Sequence, residues 1–360
     1  MVATWSPAAS SGYYTSQTEY YLADGAPIGQ WFSLTGQLSV DDATPVQQQA
    51  FGQLFAGIDQ SGKRLLTNSG RINRVPAFDV TLSAPRSISI LWAFASPATR
   101  ILIEEAQAKA TRQTLMLLDR EASFARRGKG GKHFERVHLT AACFPHSDSR
   151  PAEHKDGRVF GDPNLHTHTV ILNLATREDS SVGALHSTVL RDWKMAAGAT
   201  YHSTLAAELQ AVGFGIDRIG KNGTFEIAGI DDAIIEYFSA RRCEIKNELA
   251  DAGTTSAASP KLASLITKST RQKKHVQGQN YQFSSWLDAA KANNFRVEQL
   301  EQIARNAAER IKTQTKLISA EANLALLPTE LTQTSSVIDR RELLRATAAA
   351  LVGTGLSADH

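Results

Sequence analysis

The stretch NLHTHTVILNLA, at residues 164–175, constrains the fold of this chain more than any other part of its sequence. It is rich in β-branched and apolar residues, as is RVHLTAACFPH at residues 136–146, so both stretches predict central strands of a sheet. Alternate residues of a strand point to the same face, and histidine alternates with threonine near the start of the first stretch. His166 and His168 are therefore expected on one face, about 7 Å apart.

A pair of imidazoles on one face can share a metal ion, because neutral imidazole is the commonest metal ligand in proteins. A single His-x-His pair is also typical of two hydrogen-bonded residues in a sheet, so a third ligand is needed to favour metal. His146 stands at the end of the other predicted strand, and it completes a three-histidine site if the two strands are neighbours. Such a site leaves open positions for substrate, and its ion keeps the charge that polarises an anionic oxygen such as that of phosphate.

The stretch GYYTSQTEYYLADG, residues 12–25, holds four of the seven tyrosines as two adjacent pairs, seven residues apart. Seven residues are close to two helical turns, so Tyr13 and Tyr20 would share one helix face, about 10 Å apart. An aromatic stripe packed on a core is one interpretation, although each of four hydroxyl groups would need a partner there. The alternative is a set of nucleophiles, since a phenol attacks well only beside a base or a cation. A metal at the histidines would supply the cation, and attack on phosphorus would leave a phosphotyrosine ester.

The N-terminal half of the chain predicts both strands and helices. The expected elements are a strand at residues 1–5, a helix over 41–57 capped by Asp41 or Asp42, a strand through 78–82, and a helix from about Ser87. Ser96-Pro97 is a typical helix start, and that helix is expected to reach about Phe124. A flexible basic loop is expected over Arg126–Lys132, and the polar stretch 147–163 has the composition of a surface loop.

The C-terminal half predicts helices over residues 190–212 and 231–253, with a hairpin between them that turns at Asn222-Gly223. Beyond Gly253 the sequence predicts helices joined by polar loops. The expected fold class is α+β, with a central antiparallel sheet, flanking helices and a helical C-terminal region.

Composition sets broader limits on the function. A hydrophobic content of 42% supports a real core, and the net charge of +3 permits nucleic acid binding without requiring it. Two cysteines make no disulfide framework and favour a reducing compartment. The sequence has no recognisable signal peptide or membrane-spanning run, so a cytoplasmic protein without membrane insertion is expected.

Three segments, YYTSQTEYY, FDVTLSAPRSIS and DPNLHTHTVILN, resemble in this order the three motifs of conjugative relaxases of the MobF class, the TraI and TrwC type. These enzymes are HUH-family endonucleases that act on single-stranded DNA. The resemblance extends from about Gly12 to about Phe295. Replication initiators of the same class carry the histidine motif before the tyrosine, so the order here favours a relaxase, and two tyrosine pairs favour the MobF type.

The resemblance implies a role for each motif. Tyr13 would attack the scissile phosphate at an origin of transfer, and Tyr20 would serve a second strand transfer, with Tyr14 and Tyr21 completing the catalytic set. Asp79 would orient a metal-bound histidine and help to activate the nucleophile. The metal ligands would be His146, His166 and His168, and the metal a divalent cation, usually Mg²⁺ or Mn²⁺.

The third histidine has two candidates. The family places it in a segment of the form F-x-H-(S/D/E/T)-x-S-R, which FPHSDSR matches at His146. The loop from there to His166 is longer than usual, however, and counting back from His166 favours His154. We prefer His146, because it ends a predicted strand and has Phe144 and Arg150 beside it.

Binding of single-stranded DNA needs a cationic groove and surfaces on which bases stack. Besides the loop Arg126–Lys132, the expected DNA contacts are Arg74, Arg86, Arg150, Lys221, Arg271, Lys273 and Lys274. The last three lie in ITKSTRQKKH, which is similar to a basic segment of the helical fingers that close over the bound strand in this family. Lys221, in a tight turn, is equally typical of a surface lysine.

The resemblance also implies a domain organisation and a set of partners. A catalytic core is expected at residues 1–255, DNA-clamping fingers at 256–298, and a helical tail at 299–360 that leads toward a helicase domain. No G-x-x-x-x-G-K-(S/T) phosphate loop is present, so the sequence is expected to be the N-terminal part of a longer protein. The expected partners are single-stranded DNA of a transfer origin with an adjacent hairpin, accessory relaxosome proteins and a coupling protein, in the bacterial cytoplasm with transfer to the recipient cell.

Two other functions fit part of the sequence. A three-histidine hydrolase of small molecules would leave both tyrosine pairs unexplained. A catalytically silent DNA-binding module would tolerate loss of Tyr13 and the histidines, whereas the sequence contains all of them.

Overall fold

The computed structural model describes residues 3–8, 29–71, 73–128, 132–220, 223–256, 258–269, 279–314, 320–333 and 336–358. Their strands are β1 (Ala3–Pro7), β2 (Gln30–Phe32), β3 (Ala77–Ser83), β4 (Phe124–Arg127), β5 (His133–Arg136), β6 (Ala141–Glu153), β7 (Val159–Leu172), β8 (Ala175–Thr176), β9 (Val182–Gly183), β10 (Ile216–Arg218) and β11 (Phe225–Ile227). Their α-helices are α1 (Gln48–Ala56), α2 (Arg86–Phe94), α3 (Pro97–Ala122), α4 (Ser187–Asp192), α5 (Lys194–Ala211), α6 (Asp232–Tyr237), α7 (Ala240–Asp251), α8 (Pro260–Ser269), α9 (Gln279–Ala292), α10 (Leu300–Gln314), α11 (Ala320–Thr332) and α12 (Arg340–Leu351).

A five-stranded sheet in the order β1-β3-β7-β6-β2 forms the centre of the fold, and every neighbouring pair in it is antiparallel. The two strands predicted from their β-branched and apolar residues, β6 and β7, are neighbours inside this sheet. Helices flank the sheet and dominate the chain after β11. The predicted α+β class, with a central antiparallel sheet and a helical C-terminal region, is therefore confirmed.

The two faces of the sheet are covered differently. On one face, Phe78, Val80 and Leu82 of β3 join a large core together with apolar side chains of α2, α3 and α5. On the opposite face, which we call the histidine face, α1 covers one end. There Phe51 packs edge-on against Phe144, with 5.3 Å between ring centroids. The histidines lie toward the other end of this face.

The prediction of a helix over residues 41–57 was wrong in its first part, because α1 begins at Gln48. Asp42 does not cap it; its carboxylate accepts a hydrogen bond from the Ser33 amide at 3.1 Å and pairs with Arg112 at 2.6 Å. Pro45, which lacks an amide proton, forms an isolated bridge with Gln30 beside β2. These contacts hold residues 42–45 against the sheet instead of in a helix.

The polar stretch 147–163 was also predicted wrongly, as a surface loop. In the structure β6 and β7 continue through it as one long hairpin, with irregular register after His146. Its turn is closed by a hydrogen bond from the His154 amide to the Arg158 carbonyl at 2.8 Å. Helices distant in sequence cover this extension, and Trp286 of α9 donates from Nε1 to the Gly161 carbonyl at 2.8 Å. Tertiary burial, which local composition does not encode, makes these residues strands.

Some of the remaining predictions of strands and helices are confirmed, and others differ from the structure. The strand at 78–82, the helix after it, the helix start at Ser96-Pro97 and the β10–β11 hairpin are confirmed. The basic loop over Arg126–Lys132 begins instead as a strand, since β4 pairs with β5. Each of the two helices predicted over 190–212 and 231–253 is a pair of consecutive helices, α4 with α5 and α6 with α7. Residues 9–28, which include the tyrosine stretch, lie outside the described residues.

The C-terminal helices pack on the rest of the fold. Leu300 and Ala304 of α10, and Val352 after α12, belong to the large core. Arg340 at the start of α12 pairs with Glu121 of α3 at 2.9 Å. Among the helices of the described residues, none is both long enough and apolar enough to cross a membrane.

Candidate metal centre

Three histidines converge on the part of the histidine face that α1 does not cover. His146 lies directly opposite His166 in the β6–β7 register, and His168 is two residues further along β7, so all three project to the same side. The ring centroids are 4.9 to 5.2 Å apart, and one ligand atom from each ring lies within 4.8 Å of the other two. The strand pairing assumed from the sequence therefore brings the three rings together.

A carboxylate and a hydroxyl on β3 fix the orientation of His168. The register places Thr81 opposite His168, and Asp79, two residues earlier, lies on the same face. Asp79 Oδ2 lies 2.7 Å from His168 Nδ1, and the Thr81 hydroxyl donates to Asp79 Oδ1 at 3.2 Å. A carboxylate accepts, so Nδ1 carries the proton and Nε2 is left as the ligand atom.

His166 is oriented in a comparable way by its own strand. Its Nδ1 lies 2.7 Å from the Asn164 carbonyl oxygen, which can only accept, so this nitrogen also carries the proton. The Asn164 side-chain amide lies 3.0 Å from the same nitrogen. Two of the three imidazoles thus have an oxygen acceptor at Nδ1 and an Nε2 that is available to an ion.

The donor set suits a divalent cation. Imidazole is a good ligand for first-row transition metals, and an oxygen acceptor on the outer ring nitrogen raises its basicity. Three protein ligands leave coordination positions for a substrate oxygen. Asp79 is 5% exposed and His146 is 6% exposed, whereas His166 and His168 are partly exposed.

His154, the alternative third histidine, lies away from this group. It sits at the turn of the β6–β7 hairpin, eight residues beyond His146, which is roughly 25 Å of strand. Its ring stacks on Phe160 at 3.8 Å between centroids and lies 3.2 Å from Asp162 through Nε2. Burial lowers the pKa of His154, which favours the neutral ring. The structure therefore places His146 beside His166 and His168, whereas the His154 ring packs against Phe160.

The basic residues expected to bind DNA fall into several environments. Arg74 donates to the Phe55 carbonyl at the end of α1 at 2.6 Å, so its guanidinium is engaged within the fold. Arg86 donates to the Pro163 carbonyl, and Arg150 is half-buried on β6. The other expected contacts, Lys221, Arg271, Lys273 and Lys274, lie outside the described residues, as do Tyr13, Tyr14, Tyr20 and Tyr21.

A cavity of about 580 Å³ lies between α3 and the sheet, and His146 and Ser147 are among its lining residues. Its walls include Trp92 and Leu115, and the Asp42–Arg112 ion pair also lines it. Sequence reasoning did not anticipate this cavity.

Sequence reasoning also missed Thr81 and Asn164. Thr81 could have been found, because it lies two residues after Asp79 on a predicted strand and so shares its face. The contribution of Asn164 comes from a backbone carbonyl, which any residue type carries, so no sequence signal points to it.

Comparisons with known proteins agree with these observations. A family model described as TrwC relaxase matches residues 7–293. The multifunctional conjugation protein TraI of Escherichia coli is 25% identical over 327 residues, which is 86% of this chain and 17% of that protein. This chain thus spans about a sixth of the length of that relative.

Solved structures of the conjugative relaxase TrwC have the same fold. A complex with a 27-mer DNA comprising the recognition hairpin and the cleavage site has a TM-score of 0.67 and 27% sequence identity. A metal-bound complex with transfer-origin DNA has a TM-score of 0.67 and 28% identity. Both comparisons cover 82% of this chain and 99% of the other chain.

Proposed function

We propose, because this chain belongs to the TrwC relaxase family, that it nicks one DNA strand at the origin of transfer of a mobile element. It then holds the strand through a 5′-phosphotyrosyl link and transfers it during bacterial conjugation. The observation that carries the proposal is the three-histidine centre on the histidine face of the sheet, where Asp79 orients His168. The solved TrwC relatives are complexes with transfer-origin DNA, which supports the same substrate here.

The reaction is a transesterification at phosphorus. The Tyr13 oxygen forms a bond to the scissile phosphorus, the bond from phosphorus to the 3′ oxygen breaks, and the phenol proton ends on the 3′-hydroxyl. A divalent cation at the histidines supplies charge withdrawal from the non-bridging oxygens. The number of phosphate ester bonds is unchanged, so the step needs no water and no nucleotide, and Tyr20 can carry out the reverse type of transfer with a second strand.

The residues of this chain have separate tasks in that reaction. His146, His166 and His168 hold the cation with neutral rings, so that its charge is kept for the substrate. Asp79 and Thr81 fix the tautomer of His168, and the Asn164 carbonyl fixes that of His166.

The connectivity around the tyrosine stretch is compatible with Tyr13 as the nucleophile. The described residues on either side of that stretch are Ala8, after the edge strand β1, and Gly29, before the edge strand β2. The Ala8 amide donates to the Ala77 carbonyl of β3. His168 lies four residues along the sheet and two strands across from Ala8, or about 16 Å away. Five residues can span up to about 17 Å when fully extended, so the chain length between Ala8 and Tyr13 does not exclude contact of Tyr13 with the metal centre.

The preferred ion follows from the ligands. Mg²⁺ favours oxygen ligands and keeps much of its water, whereas imidazole is a better match for transition metals. Of the two ions that the family resemblance suggests, Mn²⁺ is therefore the better candidate. Tyr14 and Tyr21 would support the other two tyrosines.

The remaining family-based expectations stay part of this proposal. Residues 1–255 would form the catalytic core, 256–298 the DNA-clamping fingers, and 299–360 a tail toward a further domain. Single-stranded DNA with an adjacent hairpin, accessory relaxosome proteins and a coupling protein would be the partners. The protein would act in the cytoplasm and travel to the recipient cell.

The experiment that tests the function is a denaturing gel of the protein mixed with labelled single-stranded oligonucleotides from its own transfer origin. A Mn²⁺-dependent band of protein fixed to DNA is expected for the wild type and is expected to be absent for Tyr13→Phe. Persistence of the band in Tyr13→Phe would mean that another tyrosine is the nucleophile. Binding without any covalent band or cleavage would favour a silent DNA-binding module instead.

A further inference from the structure

A second, smaller cavity of about 270 Å³ lies beside the metal centre, and we call it the basic cavity. Four of its lining side chains are cationic, and none of its lining side chains among the described residues is acidic. The lining residues that matter here are Arg86, Ser149, Asn164, Arg241, Arg242 and Lys246.

Two of the four cations are held rigidly by the fold. Arg86, the first residue of α2, donates to the Pro163 carbonyl, and the carboxylates of Asp162 and Glu226 act on it from nearby. Arg241, near the start of α7, donates to the Thr267 carbonyl at 3.0 Å and pairs with Glu244. These two guanidinium groups are fixed in position, and part of their charge is balanced by carboxylates behind the cavity.

The other two cations give the cavity its surplus charge. Arg242 and Lys246 are exposed and four residues apart on α7, so they lie one above the other on the same helix face. The Asn164 side-chain amide adds an uncharged hydrogen-bond donor to the lining, and the Ser149 hydroxyl also lines the cavity.

This lining matches a phosphate group better than a nucleobase. Guanidinium and ammonium groups are the usual partners of phosphate oxygens, and fixed arginine forks reduce the entropy lost on binding. No aromatic side chain among the described residues lines the cavity, whereas recognition of unpaired bases relies on aromatic stacking. The cavity therefore suits an anion of the strand backbone, independent of base sequence.

The position of the basic cavity links it to the metal centre. Asn164 lines the cavity, and its side-chain amide lies 3.0 Å from Nδ1 of the candidate ligand His166. A phosphate in the cavity would thus be separated from the metal centre by one side chain. We propose that the basic cavity binds a backbone phosphate of the DNA strand close to the scissile phosphate but distinct from it. This inference rests on the proposed function, and it assigns substrate-positioning roles to Arg241, Arg242 and Lys246.

The test compares two double variants with the same loss of charge. Arg242→Gln with Lys246→Gln removes the two exposed cations of the cavity. Arg120→Gln with Arg191→Gln removes two cations whose side chains are also more than half exposed but which do not line it. Thermal melting of both variants checks that the fold is retained.

Affinity for a labelled thymidine 20-mer is measured by fluorescence anisotropy across a range of salt concentrations, with a chelator present so that no strand is cut. Each phosphate contact to a single strand adds about 0.7 to the slope of log affinity against log salt. The cavity variant is expected to lose about 0.7 or more of that slope and roughly 3- to 10-fold of affinity at moderate salt, in line with one lost phosphate contact. The control variant is expected to keep the wild-type slope.

Equal slopes in the two double variants would overturn the proposal. A parallel titration with inorganic phosphate separates a strand contact from a free-anion site. If the cavity variant lost affinity for inorganic phosphate but kept the DNA slope, the strand contact would be wrong. Because binding is measured without metal, the salt dependence can be interpreted even if the wild type does not nick DNA. If the wild type nicks DNA and the cavity variant keeps the wild-type slope, the proposed role of the basic cavity is refuted and the proposed function is not.

Discussion

The β6–β7 hairpin carries two histidine environments that serve opposite purposes. At the sheet end, the ring centroids of His146, His166 and His168 lie 4.9 to 5.2 Å from one another. At the turn, His154 is enclosed by Phe160 and the aromatic pair Tyr237 and Phe238. The same residue type thus provides candidate ligands at one end of the hairpin and packing at the other.

The difference lies in what surrounds each ring nitrogen. At the metal centre the outer nitrogens of His166 and His168 face oxygen acceptors, which fixes the tautomer and leaves the inner nitrogen for an ion. At the turn, burial disfavours the charged ring of His154, and the nearest carboxylate, Asp162, is itself buried. A ligand histidine is therefore recognised by its convergent neighbours and oriented outer nitrogen, and burial alone does not identify one.

The largest effect is expected from removing a ligand. His168→Ala should lower Mn²⁺ affinity by more than about 100-fold, because it deletes a ligand rather than one of the outer contacts that are worth 10- to 100-fold. The free energy of unfolding of the metal-free protein should also fall, because the substitution removes the partner of the buried Asp79 carboxylate. Isothermal titration with Mn²⁺ measures the first quantity and urea unfolding the second, and unchanged Mn²⁺ affinity would remove His168 from the site.

His154→Ala should give a different pattern. Removing a buried ring that stacks on Phe160 leaves a void, and large-to-small core substitutions of this kind cost about 2–5 kcal/mol of the free energy of unfolding. Mn²⁺ affinity should stay within about 3-fold of wild type. A His154→Ala protein with normal stability and lost metal binding would mean that His154 is a metal ligand and that its packing does not stabilise the fold.

The turn environment should also respond to pH. Burial raises the pKa of Asp162 to about 6, above its unfolded value, so its protonated form is favoured in the folded state. Its contribution to stability is therefore greatest below about pH 4 and is lost as pH rises through 6. His154 acts in the other direction: its lowered pKa means that the folded state loses stability as pH falls below 6.5.

In the wild type these two contributions partly cancel between pH 4 and 6.5. Asp162→Asn removes the first and keeps the second, so its free energy of unfolding should fall more steeply on acidification than that of the wild type. A shift of about two pKa units corresponds to about 2–3 kcal/mol over this range. Urea unfolding at pH 4.5 and 7 measures it, and parallel pH profiles for the two proteins would contradict the assignment.

The sequence predicted the metal centre more completely than it predicted the β6–β7 hairpin. The alternation of His166 and His168 with threonine is a local pattern, and it predicted both the strand and the shared face. The continuation of β6 and β7 through the polar stretch depends on contacts such as that of Trp286 with Gly161, which are 125 residues apart in the chain. No local pattern reports a contact of that kind, so composition predicted a loop.

The link between Asp79 and His168 shows a similar limit. The family resemblance implied a histidine partner for Asp79, but which of the three histidines it orients depends on the β3–β7 register, and the sequence does not contain that register. The start of α1 was predicted wrongly for another reason. Asp42 is a good capping residue in isolation, but in the structure its carboxylate pairs with Arg112.

Asp79→Asn tests the orientation of His168 without removing a ligand. An amide can present its NH₂ group to Nδ1 and so favour the wrong tautomer, with an expected loss of 10- to 100-fold in Mn²⁺ affinity. Isothermal titration measures this loss. Thr81→Val provides a related control, because it deletes the hydroxyl that donates to Asp79 and leaves the carboxylate in place. An Asp79→Asn protein with wild-type affinity would show that the 2.7 Å contact does not orient the ligand.

A small effect on Mn²⁺ affinity is expected from Asn164→Ala, and its size is informative because Asn164 contacts a candidate ligand. His166 Nδ1 donates to the Asn164 carbonyl at 2.7 Å, and that backbone acceptor survives the substitution. Mn²⁺ affinity should therefore stay within about 3-fold of wild type, unlike the 10- to 100-fold loss expected when a side-chain acceptor is altered. A loss as large as that of Asp79→Asn would mean that the side-chain amide orients His166. The two outer contacts of the metal centre would then both come from side chains, the Asp79 carboxylate at His168 and the Asn164 amide at His166.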